Sequence, residues 1–258
     1  MRALVIDWGI GGFSVVRQIQ KKQLALDMIY VSDSGYTPYG KLSKSKVRSR
    51  IARLVADVSR AQKLDLVIIA CNAASTAFVG SKKIGDIPVI NMIEPTAKAL
   101  AKLKKKNRIT VVGGDLTVSS AKYSELLRDT PHKVREISLQ PLSALIEQGH
   151  TNGVMVERVL KVRLKSLKNK KRSRLVLACT HYPAAKKTFK KLFRDIDVLD
   201  PAEPVVKSVR RALGRQKKGE SLLVHVYTTG DVKAMPRVLK KSFGMEIDPE
   251  LFQKFPHS

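Results

Sequence analysis

Eight short runs built on β-branched and other aliphatic residues, one of them (Lys133–Ile137) interrupted by three charged side chains, recur along the chain, and their spacing restricts the fold more than any other feature. They are Ala3–Ile6, Met28–Val31, Leu66–Ala70, Pro88–Ile90, Ile109–Val112, Lys133–Ile137, Leu175–Ala178 and Leu222–Val226. Near-continuous apolar strands are what a parallel sheet needs when helices cover both its faces and neither face meets water. Between the runs, segments such as Val47–Gln62 and Val154–Leu167 place apolar residues three and four apart with basic residues between them. That spacing predicts helices with one buried stripe. Strands alternating with helices imply an α/β layered fold, and 258 residues suit either one large domain or two small ones.

A weak internal repeat favours two units. Asp65–Asn72 and Arg174–Thr180 are both apolar strands that end in Ala-Cys, followed by a small polar residue and a helical stretch. Ligands of open α/β sheets bind beyond the carboxyl ends of the strands, so Cys71 and Cys179 stand where chemistry is usually done. The repeat therefore predicts two similar lobes, each presenting one thiol to a shared cleft. Two cysteines cannot staple a fold of this size, and no CxxC or Cys/His spacing marks a metal cluster.

Charge points elsewhere. Lys and Arg total 49 against 22 Asp and Glu, a net +27 that would attract polyanions such as nucleic acid or anionic polymers. The densest runs, Lys104–Lys106 and Lys168–Arg174, stand just ahead of expected strands and read as exposed loops. Aromatic residues are only 5% of the chain and no nucleic-acid motif accompanies the charge, so sequence-specific recognition has no further support. No apolar stretch approaches a membrane span, and the amino terminus lacks a secretory h-region, so the expected location is cytoplasmic.

Three segments carry chemistry. Asp7-Trp8-Gly9-Ile10-Gly11-Gly12 follows the first strand and opens a helix near Phe13; it lacks the GxGxxG spacing of a dinucleotide site, and Asp7 is a candidate for orienting a catalytic group. Cys71-Asn72-Ala73-Ala74-Ser75 puts a thiol at a strand end and helix start, where the helix field is expected to lower its pKa. Alone, Cys71 reads as a buried apolar side chain. Cys179-Thr180-His181-Tyr182-Pro183 adds a second strand-end thiol with an imidazole two residues on. Two matched acid/base groups facing a planar carbanion are what inversion of a stereocentre requires. Hydrolytic or acyl-transfer chemistry would leave the second cysteine without a role.

These segments resemble the cofactor-independent glutamate racemases of the aspartate/glutamate racemase superfamily. The resemblance extends through Ser32-Asp33, Pro38-Tyr39-Gly40, Ile93-Glu94-Pro95, Thr117-Val118 with Ser120 and Tyr123, Pro141-Leu142 with Glu147-Gln148-Gly149, and Tyr227-Thr228-Thr229-Gly230-Asp231. It implies a first lobe from residues 1–95 and 207–258, carrying Asp7 and Cys71, and a second from residues 96–206, carrying Cys179 and His181. By resemblance, Cys71 takes the α-proton of the D-enantiomer with help from Asp7, and Cys179 that of the L-enantiomer with help from His181. Trp8, Asp33, Pro38, Tyr39, Gly40, Asn72, Ala73, Thr117, Glu147 and Thr180 fall at positions of the substrate site. The family uses no pyridoxal phosphate and no metal, commonly forms homodimers, and makes D-glutamate for peptidoglycan.

Two positions depart from the family pattern. Trp8 stands where serine is usual, and Ala73 where threonine is usual; both replaced hydroxyls normally bond the substrate. The residues therefore leave two other readings open: a racemase of another amino acid such as aspartate, or a catalytically impaired racemase-fold protein that binds nucleic acid or a nucleic-acid enzyme through its charge.

Overall fold

The computed structural model describes residues 1–167, 173–214, 219 and 222–252. Of the basic run expected as a loop, residues 168–172 lie outside the described residues. The strands are β1 (Arg2–Asp7), β2 (Asp27–Ser32), β3 (Leu66–Ile69), β4 (Lys83–Ile84), β5 (Ile87–Asn91), β6 (Arg108–Gly113), β7 (Lys133–Ser138), β8 (Ser173–Ala178), β9 (Asp197–Leu199), β10 (Leu223–Thr228) and β11 (Glu250–Leu251). They form two sheets: β11-β10-β2-β1-β3-β5-β4, and β7-β6-β8-β9. Every pairing is parallel except β4 with β5. All eight apolar runs are strands of these sheets. The three strands without a sequence signal, β4, β9 and β11, are two or three residues long, too short to show a period.

Helices cover both faces of each sheet, as the apolar runs require. Along β1, Ala3 and Val5 enter one core while Leu4 and Ile6 enter the other, because successive side chains of a strand point to opposite faces. The first core is closed by helices Phe13–Lys21, Ala202–Ala212 and Ala234–Phe243, the second by helix Lys44–Ala61. Helix Lys44–Ala61 buries Val47, Ile51, Leu54, Val55 and Val58, the three-and-four spacing expected of it, and Ser43 caps its start by accepting the Lys46 amide at 3.3 Å. In the second sheet, helices Gln140–Glu147, Val154–Arg163 and Lys186–Leu192 pack on one face, and helices Ile93–Ala101 and Lys122–Leu126 on the other.

The chain crosses between sheets at places other than the residue 95/96 and 206/207 boundaries expected from the sequence, both of which fall inside helices. Ile93, Ala97 and Leu100 pack with Ile109, Val111 and Val176 of the second sheet, so the buried stripe of helix Ile93–Ala101 faces that sheet while the helix also meets helix Ala202–Ala212. Ala202, Val205, Val206 and Val209 pack with Val5, Val16 and Ile19, so helix Ala202–Ala212 lies on the first. An amphipathic helix commits its whole apolar stripe to one core, which puts the crossings in the turns ahead of each helix.

Strand register brings the chemistry-bearing segments together. Ile6 pairs with Ile69, and the Ala70 amide donates to the Ile6 carbonyl at 2.8 Å, so Asp7 and Cys71 leave neighbouring strands side by side. Gly113 pairs with Ala178, which sets residues 114–117 beside Cys179.

Candidate active site

A cleft of about 470 Å³ lies between the carboxyl edges of the two sheets, within the size range of small-molecule sites. Cys71 and Cys179 both line it, with Asp7 and His181, and so do Trp8, Pro38, Tyr39, Gly40, Asn72, Ala73, Thr117, Glu147 and Thr180. Cys71 is buried and Cys179 half-buried, and neither is in a disulfide.

The Cys71 half is built on Asp7. This carboxylate is 1% exposed and accepts the Trp8 amide at 2.8 Å, the Gly12 amide at 2.5 Å and the Thr180 hydroxyl at 3.1 Å. Burial pushes its pKa up to about 6, against the lowering influence of His181 and the amide donors. Cys71 follows β3, and its carbonyl accepts both the amide (2.8 Å) and the hydroxyl (2.7 Å) of Ser75, which fixes the turn. Its thiol is shifted opposite to the sequence expectation. Burial and the neighbouring Asp7 carboxylate push the pKa well above the ordinary cysteine range, outweighing the Ala74 amide that acts in the lowering direction.

The Cys179 half is built differently. Cys179 Sγ lies 3.6 Å from His181 Nδ1, and His181 Nε2 contacts the Glu147 carboxylate. Burial works against a charged imidazole, yet Glu147 and then Cys179 outweigh it and hold His181 well above the usual histidine range. Burial likewise opposes ionisation of Glu147, but His181 and the Ile10 amide, which donates to Glu147 at 3.2 Å, hold its pKa low. One thiol thus sits beside a carboxyl and the other beside a cationic imidazole.

The glycine loop locks the halves together by close approach. A Cβ on Gly9 would come within 2.1 Å of Glu147 Oε1, and one on Gly11 within 2.5 Å of Thr180 Oγ1 and 2.8 Å of the His181 amide nitrogen. Neither glycine has a positive φ, so space, not backbone conformation, excludes a side chain there.

Asn72 presents an unused donor. Tyr123 Oη donates to its Oδ1 at 2.9 Å, while its Nδ2, buried at the cleft wall, has no hydrogen-bond partner among the described residues. A buried donor of this kind costs stability unless a ligand fills it.

Asp33 is placed elsewhere than the sequence suggested. It is absent from the cleft lining and fully buried one layer behind it, where it accepts from Tyr39 Oη at 2.7 Å, Arg50 Nε and Nη2 at 2.9 and 2.6 Å, and Thr229 Oγ1 at 3.0 Å. Those four bonds occupy its acceptor sites, leaving it no reach toward a substrate. Trp8 keeps its ring on the cleft wall and donates Nε1–H to the Tyr36 carbonyl at 2.9 Å.

Several lining residues escaped the sequence reading. Gln140, Ser143 and Ala144 line the cleft with Glu147, at the helical spacing of three and four, while Leu142 and Ile146 of the same helix enter the core. That periodicity was available as a signal. Lys41 and Asp115 also line the cleft and Arg50 stands behind it, without comparable marks. Among the described residues, no three His, Cys, Asp or Glu side chains converge as a metal site, and no helix is long and apolar enough to cross a membrane.

Asp7 makes the site sensitive to pH. Its native pKa of about 6 exceeds the ordinary 3.8, so its contribution to stability is full below about pH 4 and is lost as pH rises through 6. The difference amounts to roughly 3 kcal/mol, taken at 1.36 kcal/mol per pKa unit. Asp7→Asn removes this dependence. Calorimetry is expected to show the variant gaining melting temperature relative to the parent at pH 8 compared with pH 5.

Two α/β lobes meeting at one cleft, lined by Asp7 and Cys71 from one and by Cys179 and His181 from the other, match a two-lobed racemase fold, a class of isomerase. Residues 4–209 match the family model described as Asp/Glu/Hydantoin racemase, and the chain belongs to this family. It is 32% identical over 249 residues to glutamate racemase of Oceanobacillus iheyensis, covering 93% of this chain and 90% of that protein. The glutamate racemase isoform RacE1 of Bacillus anthracis superposes with a TM-score of 0.86 at 28% identity, over 97% of both chains. The enzyme of Francisella tularensis in complex with D-glutamate superposes with a TM-score of 0.82 at 25% identity, over 99% of this chain and 98% of that one.

Proposed function

We propose that this protein is a glutamate racemase that interconverts L- and D-glutamate by proton transfer between two thiols. The observation that carries the reading is the position of Cys71 and Cys179 on one cleft, each reached from a different sheet and each with its own proton partner. The relatives' substrate supports glutamate as the amino acid.

The two environments divide the work in the resting enzyme. Cys179, with the cationic His181 Nδ1 3.6 Å from its sulfur, takes the role of base toward the L-enantiomer, while burial beside Asp7 keeps Cys71 as the thiol that donates a proton. In the L-to-D direction, Cys179 takes the α-proton and Cys71 delivers its own to the opposite face. Each L-to-D turnover leaves Cys179 as thiol and Cys71 as thiolate, the state that accepts D-glutamate for the reverse. Charge that builds on the substrate carboxylate meets Asn72 Nδ2 and the hydroxyl of Thr117 at the cleft wall. The product, D-glutamate, fits a role in supplying peptidoglycan.

Solvent exchange tests the reading. In D2O, deuterium is expected at the α-carbon of both L- and D-glutamate, with aspartate exchanging far more slowly. No exchange into either glutamate enantiomer, alongside a working racemase control, would refute glutamate as substrate. Faster exchange into aspartate would reassign it.

A further inference from the structure

The segment between β2 and helix Lys44–Ala61 supplies one wall of the cleft, through Pro38, Tyr39, Gly40 and Lys41. A loop of this length holds a defined surface only when something ties it down. Here the ties converge on one guanidinium. Arg50 projects from helix Lys44–Ala61 and forks onto both oxygens of Asp33, which in turn accepts the Tyr39 hydroxyl. The same guanidinium lies over the Tyr36 ring, 4.4 Å from its centroid, and the Tyr36 carbonyl accepts the Trp8 indole N–H.

A second anchor closes the circuit. Thr229 Oγ1 donates to Asp33 and accepts the Gly35 amide at 3.0 Å. A Cβ on Gly35 would meet the Thr229 carbonyl oxygen at 1.9 Å, so the loop lies flat on the 228–230 turn. The Thr228-Thr229-Gly230 motif therefore acts on the cleft without touching it.

We propose that Arg50 is a positioning residue of the racemase: by holding Asp33 on one side and Tyr36 on the other, it sets both Trp8 and Tyr39, the two aromatic walls on the Cys71 side of the cleft. Planarity matters to this role. A guanidinium grips a carboxylate with two parallel bonds and stacks on a ring at once, which an ammonium cannot do. Trp8 occupies a position where a hydroxyl is usual in the family, and its one donor, the indole N–H, is taken by the Tyr36 carbonyl, so its wall shapes the cleft only while it is held. The proposal rests on the glutamate racemase reading for its kinetic consequence, but not for its structural one.

Trp8 is the only tryptophan of the chain, so emission reports its surroundings directly. Arg50→Lys is expected to red-shift that emission and to raise acrylamide quenching at least twofold in the substrate-free protein. It is also expected to raise KM for glutamate about tenfold while changing kcat by less than threefold. Tyr36→Ala removes the stacked ring but keeps the backbone carbonyl, and is expected to shift emission and KM the same way by a smaller factor. This second variant carries the test where circular dichroism shows Arg50→Lys unfolded. Unchanged emission and quenching in folded Arg50→Lys would overturn the proposal, as would a fall in kcat with KM unmoved. Absence of glutamate turnover in the parent protein would refute the function instead, leaving the fluorescence comparison to decide the clamp.

Discussion

Cys179→Ser is expected to abolish exchange of the L-glutamate α-proton while D-glutamate still exchanges slowly, and Cys71→Ser to show the opposite asymmetry. In the proposed mechanism racemisation needs both thiols in sequence, so each variant is expected to lose it by about 10³-fold or more, within the 10²–10⁴ range of a positioned acid or base. The asymmetry follows from the separate environments. Replacing Cys179 leaves the Asp7–Cys71 half intact, because Asp7 keeps its bonds to Trp8 and Gly12, and the replaced atom joins neither. Replacing Cys71 leaves the His181–Glu147 contact in place. Proton NMR in D2O, run separately on each enantiomer, reads both results. Wild-type exchange of both enantiomers in either variant would remove that thiol from the reaction.

Gly11→Ala is the second large effect. Its Cβ would meet Thr180 Oγ1 at 2.5 Å and backbone atoms of residues 180 and 181 at 2.8 Å, and backbone cannot swing aside as a flexible side chain does. The two halves must part, stretching the Thr180–Asp7 and Ile10–Glu147 bonds that tie them. Overpacking of this kind costs about 1–3 kcal/mol, a fall of roughly 2–4 °C in Tm per kcal/mol for a chain of this size. Activity is expected to drop further, by about 10²-fold, because misplacing reacting groups by an ångström has that cost. Gly40→Ala is the control for stability: its Cβ would meet nothing within 4 Å, and Tm is expected to stay within a degree of the parent. Equal Tm values for the two variants would show that the lobes tolerate separation at the glycine loop.

Much of the architecture was legible because it rests on local periodicity. Each run became a strand: seven are nearly continuous in apolar residues, as a covered sheet requires, while Lys133–Ile137, with three charged side chains, takes an edge of the second sheet. The cleft face of helix Gln140–Glu147 was equally visible in its spacing. Asp33 was not. Its acidic side chain at a strand end reads like that of Asp7, and only Arg50, seventeen residues on and in a helix, converts it from a substrate contact into an anchor. The Cys71 thiol was misjudged for a related reason. The turn that follows it suggested a lowered pKa, but burial and Asp7 act more strongly on a thiol than a single short helical turn does.

From the order of residues alone come the α/β class, the two-lobed repeat and the pair of strand-end cysteines, because strands, helices and strand ends are written in short-range patterns of apolarity and turn chemistry. The tertiary structure alone decided in which direction burial and neighbours shift Asp7, Cys71 and His181, where the chain crosses between sheets, and which acidic residue lines the cleft and which faces an arginine. Those outcomes depend on desolvation and on partners distant in sequence, whose effects vary with distances that no local pattern encodes.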